Sequence, residues 1–474
     1  MAKAWKATES GEPTYPDNYA IEKKCVLQVT DIVSNHNKYY GIEMHSTKGK
    51  CKFPYRIFTH YGRTDDLERN PNTGAKESRY FSTQGEAEAE YNSIYKSKTS
   101  NRKGYQEVSL ASSKIGSEKA RGQSSGNIDD KTLKKIVVTT KAAPAPKIIL
   151  PKEVQELTRY IYSEATNKLT STVAAKITAN GIETPLGVLT LGQIEKGEKI
   201  LGDIFAIYKK KRIKSEYEKV KQLCSAFYTS IPHKIGRTRA EIDSAIMTEL
   251  TQFEDKQQTI QLMKDMLQVN SQGNNVLFNS QVESEYSALK CDIVYIDPGT
   301  KEFEGLNKFI QAGLVKKKAL KVKNLFKVKR EAEWKVYDNS VGNVRQLLHG
   351  SRIQNWVGIL SRGMVLPKIA VSMGINRTDG GWLGNGIYFG DAACTCTYYA
   401  AAGRKGTSLI GIASVALGKM KPFTKITYGL DSPPPGFDSC HGIPSRVQRH
   451  SEFEDNEYVI YQQNRQRLEY IIEV

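Results

Sequence analysis

Three short segments in the last quarter of the chain carry side chains that could do chemistry together. They are His349-Gly350-Ser351, then Gly386-Ile387-Tyr388-Phe389, then Glu457 within Asn456-Glu457-Tyr458-Val459-Ile460-Tyr461. A second tyrosine, Tyr399, follows Tyr388 closely. The set offers an imidazole, two ring walls, a glycine backbone open to close approach and one carboxylate. A catalyst that breaks a glycosidic bond through an oxocarbenium-like state needs such groups. It must hold a flat leaving ring, orient the sugar and stabilise positive charge on it. Taken singly, each residue has a plainer explanation. His349 reads as a satisfied core histidine, Tyr388 and Tyr399 as core aromatics, and Glu457 as a surface carboxylate.

Other chemistries find less support. No G-x-G-x-x-G follows a strand and opens a helix, so a Rossmann dinucleotide site is disfavoured, and a P-loop is missing too. Cys394-x-Cys396 with Cys440-His441 downstream offers four metal-ligand types, but the spacing is not that of a usual zinc site. No metal is expected.

Composition sets the frame. At 474 residues the chain is long enough for about two to four domains. Its 39% hydrophobic and 25% charged residues are those of a soluble globular protein. Sixty-nine Lys+Arg against 51 Asp+Glu give a net charge of +18. Such an excess favours polyanionic partners through counterion release and steering, and suits a merely soluble basic surface equally. Seven cysteines without framework spacing point to free thiols in a reducing compartment. The first residues hold no apolar signal core, and no apolar run is long enough to cross a bilayer. A cytosolic or nuclear protein that does not engage membranes is expected.

The elements that must position the chemistry fall into blocks. Residues 1–24 read as a polar tail. From Cys25 the pattern is β-like, with strands at Val26–Val29, Tyr39–Met44 and Tyr55–Tyr61, followed by a helix bearing Ala87, Tyr91 and Ile94. Residues 116–146 are rich in Ser, Gly, Lys, Ala and Pro and read as a basic linker. From 147 to 270 apolar faces recur at helix spacing, for example Val154-Leu157-Ile161-Ala165, and an all-α bundle is the natural solution. Beyond 271 the pattern is mixed and then mostly β, with Lys321–Lys329 alternating and Gly411–Leu417 a continuous apolar run. The fold class expected is multidomain α+β.

These motifs, in this order, resemble the poly(ADP-ribose) polymerase (PARP) family. Tyr55-Arg56-Ile57-Phe58-Thr59-His60-Tyr61-Gly62-Arg63 resembles the core of its WGR domain over 25–115. Leu186–Leu189 and Phe227–His233 resemble its regulatory helical domain over 147–270. His349, Tyr388 and Glu457 resemble the catalytic trio of its ADP-ribosyltransferase domain over 271–474. Met364–Lys368, Arg377–Asp379, Pro433–Ser439 and Phe453–Glu457 resemble the vault-associated branch more than the nuclear DNA-damage enzymes. The fold implied is a small WGR-type sheet with one helix, an all-α bundle, and a mixed α/β fold with mainly antiparallel sheets.

The resemblance also implies function. NAD+ would be the co-substrate, and ADP-ribose would pass to Asp, Glu or Ser of acceptor proteins, including the protein itself, and grow into chains. His349 would bind the adenine-side ribose, with Ser351 nearby and Arg377 a candidate adenosine or pyrophosphate contact. Gly350 would offer its backbone to the carboxamide, and Tyr388 and Tyr399 would flank the nicotinamide. Glu457 would hold the nicotinamide ribose and stabilise the cation. Cys396 stands where the family commonly has a carboxamide-binding Ser, and a thiol is the poorer partner. Tyr61, in place of the WGR tryptophan, and Arg63 would meet DNA ends or nicks, and relief of the helical domain's restraint would admit NAD+. The nucleus is the implied location, or the cytoplasm in a prokaryote. Two further readings stand beside this one: a mono-ADP-ribosyltransferase, and chiefly a nucleic-acid-binding protein with weak transferase activity.

Overall fold

The computed structural model describes residues 2–32, 34, 36–67, 70, 72–125, 148–178, 181–235, 238–272, 282–312, 320–366 and 381–474. It divides into two compact units, Met1–Lys141 with Leu169–Leu267, and Ala142–Lys168 with Gln268–Val474.

The first unit opens on a six-stranded sheet. It is built from β1 (Trp5–Lys6), β2 (Ala20–Asp31), β3 (His36–Ser46), β4 (Tyr55–Arg63), β5 (Ala75–Phe81) and β6 (Gln106–Glu107). The order is β1-β5-β4-β3-β2-β6. A short α1 (Thr64–Leu67) leaves β4, and α2 (Gln84–Lys98) lies on the sheet. Cys25, Leu27, Ile42, Met44 and Ile57 supply the apolar face, and Ala87 and Tyr91 of α2 cover it. The Thr83 side chain and Glu86 form a reciprocal capping box that starts α2. The segment 1–24, expected as a polar tail, thus includes β1, paired with β5, and the start of β2.

The segment after this sheet is also structured before residue 126. β7 (Leu110–Ser113) pairs with β10 (Gly187–Leu189), β10 with β9 (Gly181–Thr184), and β9 with β8 (Lys176–Thr178). Gly116 then turns at φ +117°, where a Cβ would meet the Glu43 carboxylate at 1.9 Å. Ser117 donates to that carboxylate through its backbone N–H (2.8 Å) and its hydroxyl (2.6 Å). Of the expected linker, residues 126–146 lie outside the described residues.

The helices follow as α3 (Lys152–Thr172), α4 (Leu191–Lys209), α5 (Tyr217–Ser230), α6 (Arg239–Ser244) and α7 (Leu250–Gln272). Thr190 caps α4 by accepting from the Gln193 N–H at 3.1 Å. α5 packs on β2, where the Thr30 N–H donates to Thr229 Oγ1 at 2.9 Å and the Ile32 N–H to Ser225 Oγ at 3.3 Å. The helical segment therefore carries the short strands β8–β10 besides its helices.

The second unit holds two sheets. α8 (Val282–Leu289), β11 (Asp292–Ile296), α9 (Lys301–Ala312), β12 (Asn324–Lys329), α10 (Glu331–Val336), β13 (Val344–Gly350) and α11 (Trp356–Arg362) come first. Then follow β14 (Ile387–Phe389), α12 (Ala393–Tyr399), β15 (Leu409–Ala416), β16 (Met420–Phe423), β17 (Ser439–Gly442), β18 (Glu457–Ile460) and β19 (Gln466–Glu473). The sheets run β11-β12-β19-β15-β13 and β14-β18-β17-β16, with only β16–β17 parallel. β15 is buried along its whole length, as a continuous apolar run requires. Reciprocal backbone hydrogen bonds between Leu348 and Gly390 join the two sheets. Among the described residues no helix is long and apolar enough to cross a membrane.

Candidate active site

The junction of the two sheets in the second unit gathers His349, Tyr388 and Glu457. β13 delivers His349 one residue after the Leu348–Gly390 bridge. Its Nδ1 lies 2.9 Å from the backbone carbonyl of Tyr388. A carbonyl only accepts, so Nδ1 carries the proton. Tyr388 faces Val459 across the β14–β18 ladder, and Phe389 faces Tyr458. Cross-strand partners point to one side, and residues two apart on a strand share a face. Tyr388, Val459 and Glu457 therefore share one face of the smaller sheet.

The Tyr388 ring is held at its far end. Its hydroxyl donates to the Gly384 carbonyl at 2.7 Å and accepts from the Leu383 N–H at 2.9 Å. An aromatic wall fixed at both ends loses little freedom when a flat ring lies against it.

Glu457 is the electrostatic centre of the site. Its Oε2 is shielded from solvent and accepts no hydrogen bond among the described residues. Burial first, and the Asp455 charge second, push its carboxyl up to about 8. Leaving a buried acceptor unpaired costs about 1–3 kcal/mol. The site therefore holds a carboxyl group in need of a donor or a positive charge. That is the environment a ribose hydroxyl and a cationic sugar provide, and the residues fit NAD+.

The remaining expected residues are placed as follows. Gly350 pairs with Ile410 on β15, and a Cβ there would meet the Cys396 carbonyl at 2.1 Å, so only glycine lets α12 come this close. Ser351 Oγ accepts from Asn355 Nδ2 at 3.2 Å. Cys396 is buried on α12, and burial pushes its thiol up to about 12, so it is a neutral thiol. Tyr399 is the last residue of α12 and 41% exposed. Arg377 lies outside the described residues.

Cys394, Cys396, Cys440 and His441 do not gather, and no group of three or more metal-ligating side chains occurs among the described residues. Instead, the Tyr461 hydroxyl donates to Cys440 Sγ at 3.5 Å. All seven cysteines are free thiols.

A support for Glu457 escaped the sequence reading. His441 stacks on Tyr458 with centroids 4.7 Å apart and planes 7° from parallel. Its Nε2 lies 2.8 Å from Asn456 Oδ1, while Asn456 Nδ2 donates to Asp391 at 2.7 Å. His441 thus touches both chain neighbours of Glu457. Asn456 and Tyr458 were visible beside the glutamate, but nothing in the sequence linked them to His441 or Asp391.

In the first unit Tyr61 is half-buried and stacks on Tyr40 at 5.0 Å and 12°. Its hydroxyl donates to Glu77 at 2.7 Å. Arg63 is exposed at the end of β4 and pairs with Asp65 at 3.4 Å. These two residues belong to the first unit, whereas the trio belongs to the second.

Comparison with known proteins fits this architecture. Residues 300–474 match the poly(ADP-ribose) polymerase catalytic domain, 149–284 the poly(ADP-ribose) polymerase regulatory domain, and 23–112 the WGR domain. The chain belongs to the poly(ADP-ribose) polymerase family and carries its WGR, regulatory and catalytic domains. Among its relatives is the protein mono-ADP-ribosyltransferase PARP4 of Homo sapiens, 34% identical over 324 residues, which are 68% of this chain and 18% of that protein. The Mus musculus PARP4 is 32% identical over 324 residues, 68% of this chain and 15% of the relative. The protein mono-ADP-ribosyltransferase PARP3 of Homo sapiens is 23% identical over 497 residues, 95% of this chain and 87% of the relative. The chain spans less than a fifth of the length of the two PARP4 proteins.

Proposed function

We propose that this protein cleaves NAD+ at the nicotinamide glycosidic bond, passes ADP-ribose to side chains of proteins, itself included, and extends the product into chains. The observation that carries the reading is the buried Glu457 carboxyl, whose Oε2 accepts no hydrogen bond among the described residues, on the same sheet face as Tyr388, whose backbone carbonyl accepts from His349. Tyr388 and Tyr399 flank the nicotinamide, and the Gly350 backbone meets its carboxamide. His349 accepts a hydroxyl of the adenine-side ribose through Nε2. Glu457 accepts the 2′-hydroxyl of the other ribose and stabilises positive charge at the reacting carbon. Nicotinamide leaves with the bonding electrons, the acceptor oxygen bonds to that carbon, and the acceptor's proton is lost to solvent. In elongation the same carboxylate polarises a ribose hydroxyl of the growing product.

DNA ends or nicks are the proposed activator. A WGR domain and the excess of cations support this. Arg63 is the exposed contact, whereas Tyr61 acts from within the sheet by fixing the surface through Tyr40 and Glu77. With a DNA partner the proposed site of action is the nucleus, or the cytoplasm in a prokaryote. The competing reading is transfer of single ADP-ribose units, and the two PARP4 relatives named mono-ADP-ribosyltransferases favour it.

Labelled NAD+, with and without nicked DNA, separates these readings by gel. A ladder that Glu457→Gln collapses to one band supports elongation, and one discrete band in the unaltered protein supports single transfer. Equal labelling in both lanes removes the DNA switch. Absence of labelling removes the transferase.

A further inference from the structure

The connection between α4 and α5 reads Lys209-Lys210-Lys211-Arg212-Ile213-Lys214, five cations in six residues, all five exposed. Extending to Lys221 adds two more lysines and only two carboxylates, Glu216 and Glu218. Both carboxylates are engaged within the segment. Glu216 pairs with Arg212 at 3.8 Å and Lys219 at 3.2 Å, and Glu218 pairs with Lys221.

A solvated helix end would explain part of this, because cations suit the negative end of a helix. It does not explain Lys211. That residue sits at φ +55°, just past α4. Its N–H donates to the Tyr208 carbonyl at 2.8 Å, and the Arg212 N–H to the Ile207 carbonyl at 3.1 Å. This is the left-handed cap position where glycine is the favoured residue. A lysine there incurs a backbone cost that glycine would avoid. Lys214 lies beyond the reach of the helix end altogether.

Placement supplies the second argument. α5 meets the end of β2 through Ser225 and Thr229. Lys221 stands one turn before Ser225 on the same helix face. β2 turns there into β3, whose Lys38 faces Arg63 across the β3–β4 ladder. Three carboxylates lie at the same end: Asp31 is engaged with Ser34 and Asp65 with Asn37 and Arg63, while Asp66 is exposed beside Asp65. The basic connection and the Arg63 edge of the six-stranded sheet thus lie at one end of the same unit.

We propose that Lys209–Lys214 is a second nucleic-acid contact, which grips the phosphate backbone of a duplex whose end or nick lies at Arg63. The proposal rests on the DNA reading of the first unit given above. It assigns the regulatory helices a direct hold on the activator, so that bound DNA pulls on α4 and α5 themselves.

The test measures binding of the full chain to a labelled nicked duplex by fluorescence polarisation across a salt series. For every phosphate the protein no longer neutralises, the slope of log K against log salt should fall by about 0.9. Lys210→Gln with Lys211→Gly and Lys214→Gln should lower the slope by about 2–3 and weaken binding at least tenfold. Lys211→Gly alone should raise the melting temperature through the relieved cap, yet still weaken binding, so loss of fold cannot mimic the result. An unchanged slope and affinity in the triple variant, with Arg63→Gln weakened, overturns this contact and leaves the DNA reading intact. Unaltered protein that does not bind the duplex at any salt overturns the DNA reading itself. A triple variant that binds DNA normally but fails to enter nuclei makes the run an import signal and also overturns the proposal.

Discussion

His349 and Tyr388 are tied through one hydrogen bond, from the imidazole Nδ1–H to the Tyr388 backbone carbonyl at 2.9 Å. The bond spans the two sheets of the catalytic unit. It sets which ring nitrogen carries the proton, and it holds β14 against β13 where the reciprocal Leu348–Gly390 bonds begin.

Replacing His349 by Ala removes a fastener between strands and, on the proposed function, an acceptor for NAD+. The fastener is worth about 1 kcal/mol, so the melting temperature should fall by a few degrees. The acceptor acts on bound NAD+ before and during reaction. KM for NAD+ should therefore rise roughly tenfold or more, with a smaller loss in kcat. Steady-state kinetics with automodification as readout check this. A loss confined to kcat would place the histidine in the chemical step instead.

Glu457 predicts a pH-dependent stability. Its carboxyl moves from the ordinary value of 4.5 up to about 8, by burial and then by the Asp455 charge. The folded protein therefore binds the proton more tightly than the unfolded chain does. The resulting stability is complete below pH 4.5 and is lost as pH rises through about 8. Glu457→Gln abolishes the titration. Variant and parent should differ least in slope below pH 4.5, and the variant should gain steadily above it, by roughly 2–4 kcal/mol at pH 9. Urea melts at fixed pH values test this, and parallel curves would show that the carboxyl is solvated. On the proposed function NAD+ brings a positive charge to this carboxyl, so its binding near pH 7 should release a proton, measurable by calorimetry in buffers of different ionisation enthalpy.

Much of this arrangement was legible in the sequence, and the unread part has a common cause. Gly411–Leu417 announced itself as a buried strand because a continuous apolar run has few other homes. The run Tyr458–Ile460 reads as a strand from its own apolar residues, and β18 begins one residue earlier, on Glu457 itself. β8, β9 and β10 were missed because each is only 3 or 4 residues long and their sheet is completed by β7, far away in the chain. Tyr61 was visible as an aromatic, but its stacking on Tyr40 depends on β3–β4 register. The linker residues Gly116 and Ser117 look unstructured by composition, yet the buried Glu43 of β3 accepts from Ser117 and lies against Gly116. Local pattern reports burial, and polar partners chosen across long separations leave no local trace.

Cys396 should be a quiet cysteine. It is buried, and burial pushes its thiol up to about 12, so at neutral pH almost none is thiolate. Alkylation at pH 8 should label the partly exposed Cys51 and Cys394 long before Cys396. Peptide mass mapping over time reads the order directly. Cys396→Ser restores a stronger hydrogen-bonding group where the carboxamide is expected, and KM for NAD+ should fall several-fold. A KM that does not move would separate this side chain from the nicotinamide.

His441 acts on Glu457 through the two residues that flank it. It stacks on Tyr458 and holds Asn456, which in turn is bonded to Asp391. β17 and β18 set His441 opposite Tyr458 and Gly442 opposite Glu457, so no direct bond to the glutamate is needed. Removing the ring takes one contact from each neighbour, leaves both held by Asp391, and loosens the placing of the carboxyl. His441→Ala should lower kcat about 10- to 100-fold, in the range that small displacements of a catalytic group produce, while KM for NAD+ changes little. His441→Gln keeps a donor for Asn456 but lacks the stacked ring, and should recover part of the loss. If both variants fall equally in kcat and in melting temperature, the histidine serves stability alone. If His441→Gln recovers kcat more than it recovers melting temperature, the Asn456 bond positions Glu457.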